Sequence, residues 1–219
     1  MVKSINTSHK GFSLMELMVA MAIASILMAG IYGFYQNQLS GHITQQVLVD
    51  MQQDARVAMY MMTREIRMAG YDPLNSSGAA VRTANAAEIA FDSDEDGSGD
   101  IDADSERFYY ALQTGSLVRG RWADDLTPDD LNPVALNIDA LNFVYLDSAG
   151  SPTATLDAIR AIQITLVARS GDEVPALMRR QTDSRTYLNQ QGDEILSAQN
   201  DNFRRIQLSA TVKVRNLGL

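Results

Sequence analysis

The strongest constraint on the fold of this chain is an apolar run over residues 12–35, FSLMELMVAMAIASILMAGIYGFY. Its polar members are Ser13, Glu16 and Ser25. A helix needs about 20 apolar residues to cross a bilayer, so the run is long enough to do so. Lys3 and Lys10 precede it, and positive flanks of this kind remain on the cytoplasmic side. The sequence therefore predicts a membrane-spanning helix, with the remainder of the chain outside the cytoplasm.

The order of these features differs from that of an ordinary secretory signal. Such a signal is cut after its apolar region, whereas here the polar boundary Lys10-Gly11-Phe12 comes before it. Glu16 is also unusual, because an ionisable side chain inside a membrane span costs a few kcal/mol and usually has a function. The alternative is that the Glu16 side chain lies near enough to the membrane surface to remain hydrated.

A resemblance to a known family rests on residues 10–17, KGFSLMEL, which are similar to the cleavage and methylation motif of type IV prepilins and type II secretion pseudopilins. The resemblance implies a leader over residues 1–11, a cut by prepilin peptidase between Gly11 and Phe12, and N-methylation of Phe12. It also implies that Glu16 neutralises the new amino terminus of a neighbouring subunit, since low dielectric strengthens such a pair. The implied partners are the peptidase and other major and minor pilins, contacted through the N-terminal helix.

The helix is predicted to continue as an amphipathic segment over residues 36–70. Gly70-Tyr71-Asp72-Pro73 then supplies a glycine cap followed by a helix-breaking proline. Gly30 and Gly33 lie inside the membrane segment, where they favour either close helix packing or a bend during assembly, and both readings stay open. Apolar residues recur every three or four positions, at Leu39, Ile43, Val47, Met51, Ala55, Ala58, Met62, Ile66 and Ala69.

Residues 71–219 are predicted to form a β-rich globular domain. Residues 113–115 indicate a hairpin turn, residues 123–133 a turn or short helix, and residues 170–203 a long polar excursion with some helix. The fold class is therefore α+β: a long N-terminal helix, half transmembrane and half amphipathic, packed on an antiparallel sheet as in the pilin roll. Strands are expected at residues 88–91, 107–112, 116–121, 141–146, 159–168 and 206–214.

The C-terminal half carries a second, looser resemblance. Residues 141–147, 159–169, 204–205 and 211–216 are similar to the PilW group of minor pilins, which is related to the GspJ pseudopilins. This implies a minor pilin that primes or occupies the tip region of a type IV pilus, or alternatively a minor pseudopilin of type II secretion. The outermost tip pseudopilin typically lacks the glutamate that Glu16 represents, so a position beneath or beside it is expected. The implied location is the inner membrane with the domain in the periplasm, then a surface filament.

Composition excludes several other classes of function. The net charge of −9 argues against a nucleic-acid binder. The chain has no cysteine, and its two histidines, His9 and His42, both precede Gly70. Triads with histidine or cysteine and histidine-ligated zinc sites therefore cannot be assembled after Gly70, so no enzymatic activity is expected. Two alternatives are a signal-anchored exported enzyme and a signal-anchored calcium-binding adhesion module.

An acidic segment over residues 92–106, DSDEDGSGDIDADSE, predicts a calcium site. Its opening, with carboxylates at alternate positions followed by Gly97, is typical of an EF-hand loop. Ala103 stands where that loop has its bidentate acid, so nearby acids must substitute. The alternative is a solvated acidic loop without a bound ion. The predicted ligands are Asp92, Asp94, Asp96, Asp100, Asp102 and Glu106.

Overall fold

The computed structural model describes residues 11–103, 105–124, 127–171 and 182–217. Within these ranges the chain forms one long α-helix, a short 3-10 helix at Leu156–Ala158 and ten strands. The helix is α1, Leu14–Ile66. The strands are β1 Val81–Ala84, β2 Glu88–Asp92, β3 Arg107–Gln113, β4 Ser116–Trp122, β5 Pro128–Leu136, β6 Ile138–Leu146, β7 Ala161–Arg169, β8 Tyr187–Leu188, β9 Glu194–Leu196 and β10 Arg205–Lys213.

The first compact unit of the chain ends at Thr44. In it, α1 is long and apolar enough over Leu14–Leu39 to cross a membrane, and none of that segment is buried. Helical structure continues through Gly30 and Gly33, and no atom lies within 4 Å of a Cβ placed at either glycine. At these two glycines the structure therefore shows a continuous helix without a packing contact from the rest of the described chain.

The second compact unit runs from Gln45 to Leu219. It includes the last part of α1, which the sequence analysis placed in a segment separate from the β-rich domain. One face of this part is buried, at Met51, Ala55, Ala58, Met59, Met62 and Ile66. The predicted three- and four-residue spacing accounts for this face, because such spacing aligns side chains along one side of a helix. The face belongs to a single apolar cluster with the strands.

A five-stranded antiparallel sheet, in the order β1-β2-β3-β4-β5, forms one layer of this unit. The predicted hairpin is present, since β3 and β4 pair across a turn at Thr114-Gly115. Both turn residues have positive φ, 48° and 73°, as a two-residue hairpin turn with the right-handed strand twist requires. Phe91 and Phe108 stack across β2 and β3 with ring centroids 5.1 Å apart, on the side that faces the apolar cluster.

The prediction of a turn or short helix at residues 123–133 was wrong, because β5 begins at Pro128. Two prolines made the segment look unlike a strand. β5 is the outermost strand of its sheet, and an edge strand tolerates prolines because one side of its backbone needs no hydrogen-bonded partner. The register also shifts twice between β4 and β5. β1, Val81–Ala84, was missed as well, because it is not among the strands expected from the sequence.

A second antiparallel sheet has the order β10-β7-β6 and contains the strands predicted at residues 141–146, 159–168 and 206–214. Phe143 pairs with Ile164, and Leu166 pairs with Leu208. Ile162, Ile164 and Leu166 are fully buried on one face, as their alternation predicted. The polar excursion at residues 170–203 contains the hairpin β8–β9, and its described part has no helix. Residues 172–181, part of that excursion, lie outside the described residues.

α1 is tied to the five-stranded sheet by a polar cluster. The Tyr110 hydroxyl donates to Glu65 Oε2 at 2.6 Å, and Arg119 Nε donates to the same oxygen at 3.0 Å. After Ile66 the chain turns, and Gly70 takes φ +72° while its N–H donates to the Asp92 carbonyl at 2.8 Å. The end of the helix is thereby hydrogen-bonded to the start of the acidic segment.

Candidate functional site

The N-terminal motif forms a reciprocal cap at the start of α1. The Met15 N–H donates to Ser13 Oγ at 3.3 Å, and the Ser13 N–H donates to Glu16 Oε2 at 3.0 Å. This is the capping box that the spacing Ser-x-x-Glu favours, in which two otherwise unpaired N–H groups find partners. Sequence reasoning assigned Glu16 to a charge pair and missed this local role, although the spacing was the signal that could have revealed it.

Gly11 and Phe12 make no packing contacts with the described part of the chain that would require these residue types. No atom lies within 4 Å of a Cβ placed on Gly11, and its φ is outside the left-handed region. Phe12 is 88% exposed. The identities of these two residues are therefore not required by local packing, which is compatible with recognition by another protein.

Asp92, the last residue of β2, is not a member of the group that the structure forms from the other predicted calcium ligands. It is fully buried, and its Oδ2 is ion-paired with Arg82 Nε at 2.5 Å. Burial raises the pKa of Asp92 above its ordinary range, and the hydrogen bond from Arg82 only partly opposes that effect. Arg82 therefore supplies a counter-charge to the Oδ2 side of the Asp92 carboxylate.

The structure brings together Asp94, Asp96 and Glu106, each with one carboxylate oxygen within 4.8 Å of the others. Asp94 and Glu106 are buried, whereas Asp96 is exposed. Both Glu106 oxygens accept backbone hydrogen bonds: Oε1 from Glu95 and Asp96 at 2.7 and 3.2 Å, and Oε2 from Asp102 at 2.9 Å. Asp94 Oδ2 accepts the Gly99 N–H at 3.1 Å. The buried Glu106 carboxylate therefore stabilises the loop conformation by accepting hydrogen bonds from the loop backbone.

Asp100 and Asp102 do not join this group among the described residues. Asp100 Oδ1 accepts a hydrogen bond from the Ser98 hydroxyl at 2.6 Å, and Asp102 Oδ2 accepts one from Ser105 at 3.2 Å. Hydrogen bonds from Ser98 hold the pKa of Asp96 below its usual range, so that carboxylate stays ionised at neutral pH. Three of the six predicted ligands are thus near one another. Calcium binding itself stays a prediction.

Comparison with known proteins agrees with this description. Residues 44–214 match the profile of a family described as prepilin peptidase-dependent protein B, and residues 6–32 match the prokaryotic N-terminal methylation motif. A search of curated proteins finds no match. Among solved structures, the chain is similar to the type IV-like pilin TTHA1219 from Thermus thermophilus, with a TM-score of 0.55 and 18% sequence identity. That alignment covers 77% of this chain and 98% of the pilin, and at this identity it shows the fold alone.

The α+β fold, the exposed apolar helix and the methylation motif together define a type IV pilin-like protein. The chain belongs to the prepilin peptidase-dependent protein B family, whose profile covers more than half of its length. The type IV pilin-like family and the α+β fold class predicted from the sequence are therefore confirmed. Proteins of this kind are processed by prepilin peptidase and anchored by their N-terminal helix, and pilin-like families are generally structural rather than enzymatic.

Proposed function

We propose that this chain is a minor pilin that primes, or lies in, the tip region of a type IV pilus. The observation that supports this most is the methylation motif at residues 6–32 on an apolar helix whose side chains are exposed throughout Leu14–Leu39. Such a surface is stable only in lipid or against other apolar helices. A filament built from N-terminal helices supplies the second environment after the membrane has supplied the first.

Prepilin peptidase cuts the chain between Gly11 and Phe12 and methylates Phe12. The unconstrained surroundings of both residues support this assignment, because local packing does not explain why glycine and phenylalanine occur there. Before assembly the protein lies in the inner membrane with its β-rich domain in the periplasm. It then enters a surface filament, where it contacts other pilins and performs no catalysis.

Glu16 neutralises the new amino terminus of a neighbouring subunit. The capping bond from Ser13 occupies Oε2, while Oε1 accepts no hydrogen bond from the described residues. One carboxylate can therefore cap its own helix and pair with a cation from outside. In an apolar surrounding such a pair is strong only when both partners are present, so it favours one register between subunits.

A minor pseudopilin of a type II secretion system is the second candidate, since the same motif and helix would be used there. The two roles are separated by deleting the gene and measuring both surface pili and secreted proteins. Loss of pili with normal secretion supports the pilus role, and the reverse outcome supports the secretion role. A display module for adhesion requires that pili still form in the deletion strain but fail to attach.

Processing is tested by mass spectrometry of the protein from cells that contain prepilin peptidase and from cells that lack it. We expect a mature chain that begins with N-methylated Phe12 only when the peptidase is present. Gly11→Ala should block the cut without changing the fold of the domain, because none of the described residues packs near Gly11. A mature N-terminus at any other residue would contradict the assignment.

Two variants separate the two roles of Glu16. Glu16→Gln retains a side-chain oxygen that can cap Ser13 but removes the charge, whereas Ser13→Ala removes the serine cap and keeps the charge. We expect Glu16→Gln to be cut normally yet to fall at least tenfold in the sheared filament fraction. Ser13→Ala should enter filaments nearly as the wild type does. Equal incorporation of Glu16→Gln and wild type would rule out the charge pair.

A further inference from the structure

The group formed by Asp94, Asp96 and Glu106 lacks a positive partner among the described residues. The exposed fractions of Asp94 and Glu106 are 0% and 2%. No arginine or lysine in the described part of the chain lies within ion-pair distance of either, although Arg82 pairs with nearby Asp92. Buried carboxylates without a counter-charge are strongly destabilising, so natural proteins pair them or use them to coordinate metal ions.

A second, independent observation concerns single atoms. Asp94 Oδ1 is buried and has no hydrogen-bond partner in the described residues, while the other oxygen of the same carboxylate accepts the Gly99 N–H. Buried polar atoms almost always have partners, so an orphaned carboxylate oxygen inside an acidic cluster points to a missing cation. The neighbouring Asp92 Oδ1 and Ser93 Oγ are also buried without partners.

We propose that Asp94, Asp96 and Glu106 bind one calcium ion. The ligand atoms are all carboxylate oxygens, which suit a hard divalent cation and not zinc, for which the chain after Gly70 offers no histidine or cysteine. Calcium accepts irregular shells of six to eight oxygens, whereas magnesium requires a near-ideal octahedron and keeps several waters. Three carboxylates from one irregular loop, of which Asp96 is exposed, suit the flexible calcium shell better, and water would fill the remaining positions.

The ion would connect parts of the unit that are far apart in sequence. Asp94 follows β2, and its N–H donates to the Tyr71 carbonyl beyond the end of α1 at 2.8 Å. Glu106 immediately precedes β3, and its carbonyl accepts the Ser93 N–H at 3.0 Å. Calcium at this point therefore closes the loop between β2 and β3 and fixes it against the segment that leaves the helix. This role is independent of whether the filament is a pilus or a pseudopilus.

The chain contains a local reporter for the experiment. Trp122 is its only tryptophan, and the Trp122 indole N–H donates to the Phe91 carbonyl at 3.4 Å, directly before Asp92. Full-length protein in detergent is treated with a chelator, desalted and titrated with CaCl2 or MgCl2. Calorimetry and Trp122 fluorescence are followed in parallel. We expect a calcium dissociation constant of about 0.1–1 mM, the range of extracellular calcium modules, and at least tenfold weaker magnesium binding.

Matched variants identify the ligands. Asp94→Asn and Glu106→Gln remove one charge each and keep an oxygen at the site, and each should weaken calcium binding at least tenfold. Glu95→Gln is the control, because Glu95 is an exposed acid of the same loop outside the group. It should bind as the wild type does. At a tenfold excess of calcium over its dissociation constant, wild-type Tm should rise by about 3–6 °C.

Three results would overturn the site. One is wild-type protein that shows neither heat, nor a Trp122 change, nor a Tm shift up to about 10 mM calcium, well above the weakest modules. Another is equal binding of calcium and magnesium. The third is an equal loss of affinity in Glu95→Gln and Asp94→Asn, which would indicate diffuse attraction of counterions. Circular dichroism of the calcium-free variants shows whether they are folded, and if Glu106→Gln is not, Asp94→Asn alone decides.

Discussion

The two ends of α1 both carry apolar side chains, but these lie in opposite surroundings. From Leu14 to Leu39 the helix is apolar and exposed on every side, whereas from Met51 to Ile66 a narrow apolar face is buried under the strands. The first part lacks any partner within the described chain, and the second part has its partner in the strands that follow. The hydrophobicity of a side chain alone therefore does not show whether it is buried within its own chain. The spacing of apolar residues does show this, because apolar residues confined to one face of a helix indicate that this face packs against another element.

The largest expected effect compares two methionines of α1. Met62 is 0% exposed and Met21 is 64% exposed. Met62→Ala should lower the free energy of unfolding of the β-rich unit by about 2–5 kcal/mol, since it leaves a cavity. Met21→Ala should change it by less than about 0.5 kcal/mol. Urea denaturation of the full chain in detergent, followed by Trp122 fluorescence, measures both. A comparable loss in the two variants would mean that the halves of α1 unfold together.

The next effect, about 2 kcal/mol, is a pH dependence confined to the β-rich unit. Burial acts to raise the pKa of Asp183, but hydrogen bonds from Arg185 and Tyr187 outweigh it and hold the pKa at about 2. Because this value lies below the usual 3.8, the carboxylate stabilises the fold above about pH 4. That contribution is lost as the pH falls from about 4 to about 2. Tyr187 donates to Asp183 Oδ2 at 2.7 Å.

Asp183→Asn tests this effect, measured as the free energy of unfolding against pH. We expect the variant to be less stable than the wild type at pH 6 and to lose less stability between pH 4 and 2. Asp147→Asn is the control, because Asp147 binds only its own turn. An unchanged slope in Asp183→Asn would show that other carboxylates control the acid response.

A smaller effect on stability is expected from alanine substitutions at two glycines, Gly70 just after α1 and Gly30 within it. Gly70 has φ +72°, and a Cβ placed there would overlap the Leu217 side chain. Gly70→Ala should therefore cost about 1–2 kcal/mol, the penalty for a side chain in a left-handed conformation. Gly30→Ala meets no atom within 4 Å and should raise local helix stability by about 1 kcal/mol. Thermal melts and helical circular dichroism measure the pair, and a destabilising Gly30→Ala would point to a neighbour outside the chain.

The smallest effect is at the first turn of α1. Ser13→Ala should cost about 1 kcal/mol locally, because the Met15 N–H loses its acceptor. Hydrogen exchange of the amides of residues 15–17 in detergent should accelerate, while the unfolding free energy of the β-rich unit stays unchanged. Exchange that remains slow would show that Glu16 alone is enough to hold the turn.

A helix or strand could be predicted from the sequence when its apolar residues followed a regular spacing that places them on one face. Ile162, Ile164 and Leu166 alternate strictly and were placed correctly, as was the buried stripe that includes Met62. β5 was missed because its position at the sheet edge, which makes Pro128 and Pro133 tolerable, depends on pairing that is not visible locally.

The acidic loop shows the same limit. Its ligand types were evident from composition, but Asp92 was included with the others because it fits the EF-hand spacing. The structure instead pairs Asp92 with Arg82, a residue on the neighbouring strand β1. The structure brings Glu106 near Asp94 and Asp96 although it lies outside the standard spacing, because the loop returns to its own start at β3. The Ser13–Glu16 cap needed only a local motif and could have been predicted.

The cap also has an electrostatic consequence for the processed chain. A helix carries roughly half a positive charge at its amino end, because the dipoles of its peptide groups align. The proposed removal of the leader would place a cationic amine on Phe12, directly before that end, where it would meet a field of its own sign. The Glu16 carboxylate lies in the first turn of the same helix. Its negative charge offsets both the positive end of the helix dipole and the positive amine. In a filament where Glu16 of each subunit also pairs with the amino terminus of a neighbour, each Glu16 would interact with two helix ends. A subunit at the end of the filament has a neighbour on one side only, so its charges would be balanced differently from those of subunits within the filament.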